Sequence, residues 1–526
     1  MPKRAIPIYP FLLAAYPMLA LWAHNIAWVP GEQVGGSFVV VLAGATVTFL
    51  GLRILFRDAA RAAWVTGLAV LLFFSYGQVY EFLKSAGLGA TIARHRYLAP
   101  LWAGVMAAGV VWALRRSPSV ARLTPLFNVI AASTWIVPGI GLAGYALEPS
   151  QPAATSAESV NLAARLHLPQ DRPAPDVYLI IVDAYARADI LQQVFDYDNT
   201  EFISSLRALG FYIPESNHSN YGQTSLSISS ILNMDYVDEL LSGIDPSQWG
   251  RKPLWELIQH SEARRILEGL GYQSVAFSTS LPGTEIRDAD LFLTASTTDE
   301  LLSGGGVNAF ERMLIETSAA RLLLDASVAL PRFFPDLKYP YRIHRARVLN
   351  ILDHLGTLPL TPGPKFVFAH IICPHPPFIF GPNGEVREDY QAFTLGFGDA
   401  GAPVTGEEYL QGYRDQVHFI NQQLEAILPE ILQRSATPPI ILIMGDHGPE
   451  GRGGGVTYTQ QRMSNLMAFY LPDGPDGLYD SITPVNAFRI VFNEYFGGAY
   501  ELLADRVLYS EYRSPFRFDD ITEEVY

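Results

Sequence analysis

The sequence predicts a chain in two parts: five transmembrane helices, then an α/β domain with a mostly parallel sheet sandwiched by helices. Three observations predict it. Five long apolar segments, nearly free of charge, fill the first 150 residues. The charge then reverses: residues 1–150 carry 11 Lys and Arg against 4 Asp and Glu, net +7, and the remainder 26 against 48, net −22. Beyond residue 175, short apolar runs alternate with helical patterns, as in a sheet covered on both faces. At 526 residues the chain is too long for one ordinary domain, and 49% hydrophobic against 17% charged content suggests a membrane part.

The apolar segments lie at about 7–28, 36–56, 63–83, 97–114 and 124–147, each close to the length that crosses a hydrocarbon core of roughly 30 Å. Lys3 and Arg4, then Arg53, Arg57 and Arg61, then Arg115, Arg116 and Arg122 occupy one set of connections; the alternate set holds Lys84, Arg94 and Arg96. This bias places the N-terminus in the cytoplasm and everything after residue 147 outside. The first segment reads as an uncleaved anchor. Tyr76, Gln78 and Glu81 lie in the third segment and His95 and Arg96 after it; they read as interfacial anchors or, less simply, as contacts to a lipid headgroup. The expected domains are 1–147 transmembrane, 148–175 a Pro/Ala/Ser-rich linker and 176–526 catalytic.

The second part opens on Asp176–Asp183, a continuous apolar run that ends in an acid. Further strands are expected at Ser274–Ser278, Phe366–Ile372, Ile440–Met444 and Leu466–Leu471. Helices are expected near 199–209, 253–269, 341–355, 406–432 and 484–496. Residues 220–232 read as a loop turning into a helix N-terminus at Thr224. Residues 381–405 read as a Gly-rich loop over the site, and 281–335 give no clear pattern. An acidic domain argues against nucleic-acid binding. One cysteine, Cys373, excludes an intrachain disulfide and a Cys-cluster metal site.

Ile440–Met444 ends in Gly445-Asp446-His447-Gly448. Chemistry gathers at the carboxyl ends of strands in open α/β sheets. By itself the motif fits either a metal-binding pair or a turn with a surface His. Asp183 at another strand end and Thr224 at a helix start complete a set of two carboxylates, one imidazole and one hydroxyl. That set suits one divalent cation, Zn²⁺ or Mn²⁺ first, with Mg²⁺ or Ca²⁺ also admissible. Coordination would make Thr224 a nucleophile near neutral pH.

The constellation resembles the alkaline phosphatase superfamily and, within it, the sulfatase-like branch, above all the membrane-anchored lipoteichoic acid synthases and phosphoethanolamine transferases. The resemblance rests on Val177–Asp183, Gly222–Leu232, Phe366–Phe378, Ile440–Gly448 and Arg462–Leu471, in that order. It implies that Asp183, Thr224, Asp446 and His447 are the metal ligands, with Thr224 also the nucleophile. It implies that His375 faces the substrate as a catalytic group and that His370 is a second such histidine. Arg462, just before a strand, is the best of three arginines for holding a phosphate; Arg187 and Arg452 are weaker. His344, His354 and His418, in helical stretches, read as structural or solvent-facing. Thr224-Ser225-Leu226-Ser227 and Cys373-Pro374-His375 both lack the Cys/Ser-x-Pro-x-Arg pattern of formylglycine sulfatases. Residues 453–459 lack the histidine that would hold a second metal in the transferases.

The expected function is transfer or hydrolysis of a phosphoryl-linked group, with a membrane lipid as partner: a phospholipid headgroup donor and a glycan or lipid acceptor. The expected location is the plasma or inner membrane, multi-pass, with the catalytic domain extracytoplasmic (periplasmic in a Gram-negative cell). The alternatives are a sulfatase- or phosphodiesterase-type hydrolase without transfer, and a non-catalytic envelope binding protein.

Overall fold

A computed structural model describes residues 5–26, 29, 31–84, 86, 92, 94–115, 117–147, 165–168, 173–248, 250–279, 281–295, 309–323, 339–387, 406–450, 455–474 and 476–526. The chain divides into two compact units. One comprises Met1–Pro149 and Gly305–Pro340, the other Ser150–Gly304 and Tyr341–Tyr526. The expected linker falls largely outside the described residues, but 165–168 do not behave as linker: Leu166 is buried and the His167 N–H donates to the Phe496 carbonyl at 3.0 Å. The part of the expected Gly-rich loop at 388–405, and Arg452, also lie outside the described residues.

The first unit is helical: α1 (Tyr9–His24), α2 (Gly35–Phe56), α3 (Ala59–Leu83), α4 (His95–Arg115), α5 (Ser117–Ser133) and α6 (Ile136–Leu147). Five spans were expected. Four runs among the described residues are long and apolar enough to cross a membrane: α2, α3, α4 and Val120–Leu147, which joins α5 and α6. The first segment forms a helix of only 16 residues. It stops where Asn25 turns its side-chain amide onto the Leu21 carbonyl at 2.7 Å, competing with the helical ladder. α3 begins at Asp58, whose carboxylate accepts from the Ala60 and Arg61 N–H groups. Val39, Val40, Val47, Ile54 and Leu55 stand out from the unit at 70–78% exposure, a surface suited to lipid rather than water.

In the second unit a six-stranded sheet runs in the order β3-β2-β4-β1-β5-β6. The strands are β1 (Val177–Val182), β2 (Gln273–Phe277), β3 (Leu291–Leu293), β4 (Lys365–Ile371), β5 (Ile440–Met444) and β6 (Met467–Tyr470). All pairs are parallel except β5 with β6. β1, β4 and β5 are buried along their whole length, because helices cover both faces. Odd and even residues of β1 therefore feed two separate cores: Tyr178, Ile180 and Val182 join one, Val177, Leu179 and Ile181 the other.

Two expectations changed. The expected helix at 253–269 is two, Lys252–Gln259 and Glu262–Gly269, separated at His260-Ser261, and Ser261 takes an extended cap conformation. β3 is too short, at three residues, to show a strand period in the sequence.

Register sets the site. Ile181 lies opposite His370 of β4 and Met444 of β5. The side chains that follow β1 and β5, and those ending β4, thus emerge together at the carboxyl edge of the three central strands.

Candidate metal centre and nucleophile

Asp183 follows β1 directly and is 2% exposed; Asp446 and His447 follow β5 at 0% and 1%. Between Asp183 and the next helix the backbone turns through Ala184 at φ 60°, the left-handed region. The turn points the Ala184 N–H at Asp446 Oδ1, 3.0 Å away. Tyr413 holds it from behind, its hydroxyl donating to the Ala184 carbonyl at 2.7 Å and accepting from the Ala186 N–H at 3.1 Å.

Thr224 opens the helix α7 (Thr224–Asn233) and is half-buried, unlike its neighbours. Its Oγ1 lies 3.1 Å from His447 Nε2. Ser227, one turn on, donates to the Asp446 carbonyl at 2.6 Å, tying the helix to the end of β5. A helix N-terminus carries partial positive charge, so an anionic group is favoured beside Thr224.

One carboxylate oxygen of each Asp has no donor. Asp183 Oδ1 and Asp446 Oδ2 are buried and accept no hydrogen bond among the described residues. Single ligand atoms of Asp183, His370 and Asp446 all lie within 4.8 Å of one another. Buried carboxylate oxygens left without donors fit a cation, which would offset their desolvation. The electrostatics agree. Burial works against charge on Asp183, but His375 and the hydrogen-bonded His370 hold its carboxyl below the usual carboxylate range. Burial and the Asp183 charge then push the Asp446 carboxyl up. Two carboxylates this close share charge poorly without a positive centre.

His447 is kept neutral by burial and by the neighbouring Arg462 charge. Its Nδ1 lies 2.9 Å from the Gly448 carbonyl, which assigns the ring proton there and leaves Nε2 a lone pair toward Thr224 and Asp446. Arg462, 8% exposed, donates to the Gly222 carbonyl at 2.8 Å and the Gly448 carbonyl at 3.0 Å, and its Nη2 stands 3.1 Å from His447 Nε2. A capping box, Thr457 with Gln460, starts the short helix Tyr458–Met463 that carries it.

His370 is 1% exposed, with Nε2 3.1 Å from Asp183 Oδ2 and Nδ1 2.9 Å from Thr284 Oγ1. It was expected to face a substrate; its ring is enclosed and lies among the groups able to hold the cation. His375 is half-buried, its N–H donating to the Asp183 carbonyl at 3.2 Å. Arg187 lies away from this cluster. It pairs with Asp189 at 2.7 Å and lines a cavity of about 420 Å³ with Asn199, Thr200 and Arg207.

Sequence reasoning missed several contributors. His344 is fully buried, and burial with the charges of His375 and Arg347 pushes its imidazole down to about 3. Arg251 is 1% exposed; it donates to Gln223 Oε1 at 2.5 Å and Ser225 Oγ at 3.2 Å, the two residues flanking Thr224. Neither lies near the motifs in sequence, and only their burial in the fold reveals them. His354 contacts the Asn350 carbonyl one turn back at 2.8 Å, and His418 reaches the distant Tyr197 hydroxyl at 3.3 Å.

No protein-family model and no curated protein matches the sequence. Solved structures similar to the chain include the C-terminal periplasmic domain of EcEptC from Escherichia coli, at 9% identity and TM-score 0.42, covering 68% of this chain and 94% of that one. The integral membrane protein lipooligosaccharide phosphoethanolamine transferase A from Neisseria meningitidis matches at 11% identity and TM-score 0.39, covering 94% of this chain and 96% of that one. The lipoteichoic acid synthase LtaP from Listeria monocytogenes matches at 12% identity and TM-score 0.36, covering 67% and 83%.

Proposed function

We propose that the protein is a membrane-anchored, metal-dependent enzyme of the sulfatase-like kind that moves a phosphoryl-linked headgroup through Thr224, outside the membrane. The observation that carries this reading is the half-buried Thr224 hydroxyl beside buried Asp183, Asp446 and His447, with two carboxylate oxygens lacking donors. The resemblance of the motifs to membrane phosphotransferases supports the same reading, as does an apolar helical unit in the same chain.

Asp183, Asp446 and His447 would hold one divalent cation with Thr224, and His370 adds a fifth candidate ligand. A bound cation supplies Lewis acidity to the Thr224 oxygen and to the phosphoryl group. The chain does the rest. The first turn of α7 and Arg462 place positive potential around the incoming anion. The Thr224 hydroxyl gives up its proton to solvent, and its oxygen forms a bond to phosphorus as the bond from phosphorus to the leaving oxygen breaks. The leaving oxygen takes a proton from half-buried His375, which regains one from the acceptor hydroxyl or water in the second step. The headgroup, held as a phosphothreonine ester, then passes to an acceptor hydroxyl of a glycan or lipid, or to water.

The test is covalent trapping. Purified full-length protein with Zn²⁺ or Mn²⁺ is incubated with headgroup-labelled phospholipid vesicles. Label is expected on the parent and absent from Thr224→Ala. Label retained by the Ala variant would sink the Thr224 mechanism. Label that appears on added glycan or lipid, rather than in free headgroup, separates transfer from hydrolysis.

A further inference from the structure

The second unit is interrupted in sequence. After β3 the chain joins the first unit for Gly305–Pro340, then returns at Tyr341. The described part of this excursion is the helix Ala309–Glu316, the stretch that follows to residue 323, and Tyr339 and Pro340 at its end. It is seated on α1 and α3 by four kinds of contact. Phe310 is fully buried in an apolar cluster with Met18, Val29 and Val34. The Ala319 N–H donates to the Phe73 carbonyl at 2.7 Å. The Arg321 guanidinium pairs with Glu81 and lies 4.5 Å over the Tyr80 ring. At Gly77 the two backbones touch: a Cβ there would sit 2.5 Å from the Glu316 carbonyl oxygen and the Ser318 nitrogen.

These contacts explain polar residues for which the catalytic centre has no use. Glu81 ends a long apolar helix, where an acid is costly unless it is paired. Its partner, Arg321, is 240 residues further on. Tyr80 in turn stacks on His95 at 4.6 Å, and Tyr76 shares a 2.8 Å hydrogen bond with His95 Nδ1. The same end of α3 leads to the connection that the charge bias places outside, the side expected for everything after residue 147.

We propose that residues 309–323 are a docking element whose receptor is the α1–α3 face of the first unit, and that it holds the two halves of the chain together independently of the 148–175 linker. The interrupted chain crosses between units three times, so when the linker is cut the docked element is what still joins the C-terminal part to α1 and α3. The proposal makes no use of the catalytic reading and stands or falls apart from it.

The test uses the full chain in detergent micelles, with an N-terminal affinity tag and a protease site inserted between Thr155 and Ser156. After cleavage, the C-terminal fragment is expected to stay with the captured N-terminal fragment. Arg321→Glu should release it, and Glu81→Arg combined with Arg321→Glu should restore retention. Arg321→Glu lies in the released fragment, so the first unit keeps its native sequence through residue 149. Gly77→Leu should also release it. A parent fragment that washes off overturns the proposal. So does a fragment retained just as well when 309–323 are replaced by a Gly/Ser stretch of equal length.

Discussion

Arg462 donates to the Gly222 and Gly448 carbonyls, one on each side of the candidate nucleophile, so its role is to hold two loops at a fixed separation. Arg462→Met leaves the Gly222 carbonyl buried without this donor, at a cost of about 1–3 kcal/mol. Urea midpoints on the second unit should show this loss. Arg462→Lys, which lacks the planar fork, should recover only part of it. His218 contributes to the pH dependence. Burial and the Arg187 charge push its imidazole down to about 3, against an ordinary value near 6.5. The unfolded chain therefore takes up the proton first. The stabilisation is full above about 6.5 and is lost as pH falls toward about 3. Stability measured from pH 7 to pH 4 should decline more steeply in the parent than in His218→Gln.

At the level of elements, the site is a meeting of strand ends and one helix start, and its tolerances are set by backbone approach. Gly448 is the tightest point, since a Cβ there would lie on the Gln461 carbonyl oxygen of the short helix that carries Arg462. Gly445 is similarly close to the Tyr185 carbonyl, 2.5 Å from where its Cβ would be. Gly448→Ala must push the Tyr458–Met463 helix off the end of β5, an overpacking cost of about 1–3 kcal/mol. The expected result is a lowered urea midpoint, together with weaker retention of metal, because Arg462 and His447 move together. A lowered midpoint with metal retention unchanged would show that helix and site are not coupled in this way.

For the whole molecule, a cation held by Asp183, Thr224, Asp446 and His447 would link three separated stretches of chain, so its loss would be a loss of fold stability. At a free ion concentration of 100 times Kd the stabilisation is about 2.7 kcal/mol. A chelator should lower the melting temperature of the second unit, and Zn²⁺ or Mn²⁺ should restore it. Asp183→Asn and Asp446→Asn should each be indifferent to both treatments, and elemental analysis should find no stoichiometric metal in either. The first unit, built on apolar helices that share none of these side chains, should melt alike with and without the ion.

The sequence by itself determined the division into an apolar helical part and an α/β part. Hydrophobic period and charge bias are local properties, and Ile440–Met444 is a strand with the same bounds in both readings. It also marked Asp183, Asp446 and His447, because polar residues that end buried runs stand out against their neighbours, and Thr224, because small hydroxyl residues after Gly222 read as a helix start. Only the tertiary structure decided the rest. His370 joins Asp183 and Asp446 through strand register, Arg462 turns to backbone carbonyls, and Arg251 and His344 enter from stretches with no motif. Residues 309–323 join the first unit although they lie deep in the sequence of the second. Each of these depends on contacts between residues far apart in the chain, and such contacts leave no period or composition to read.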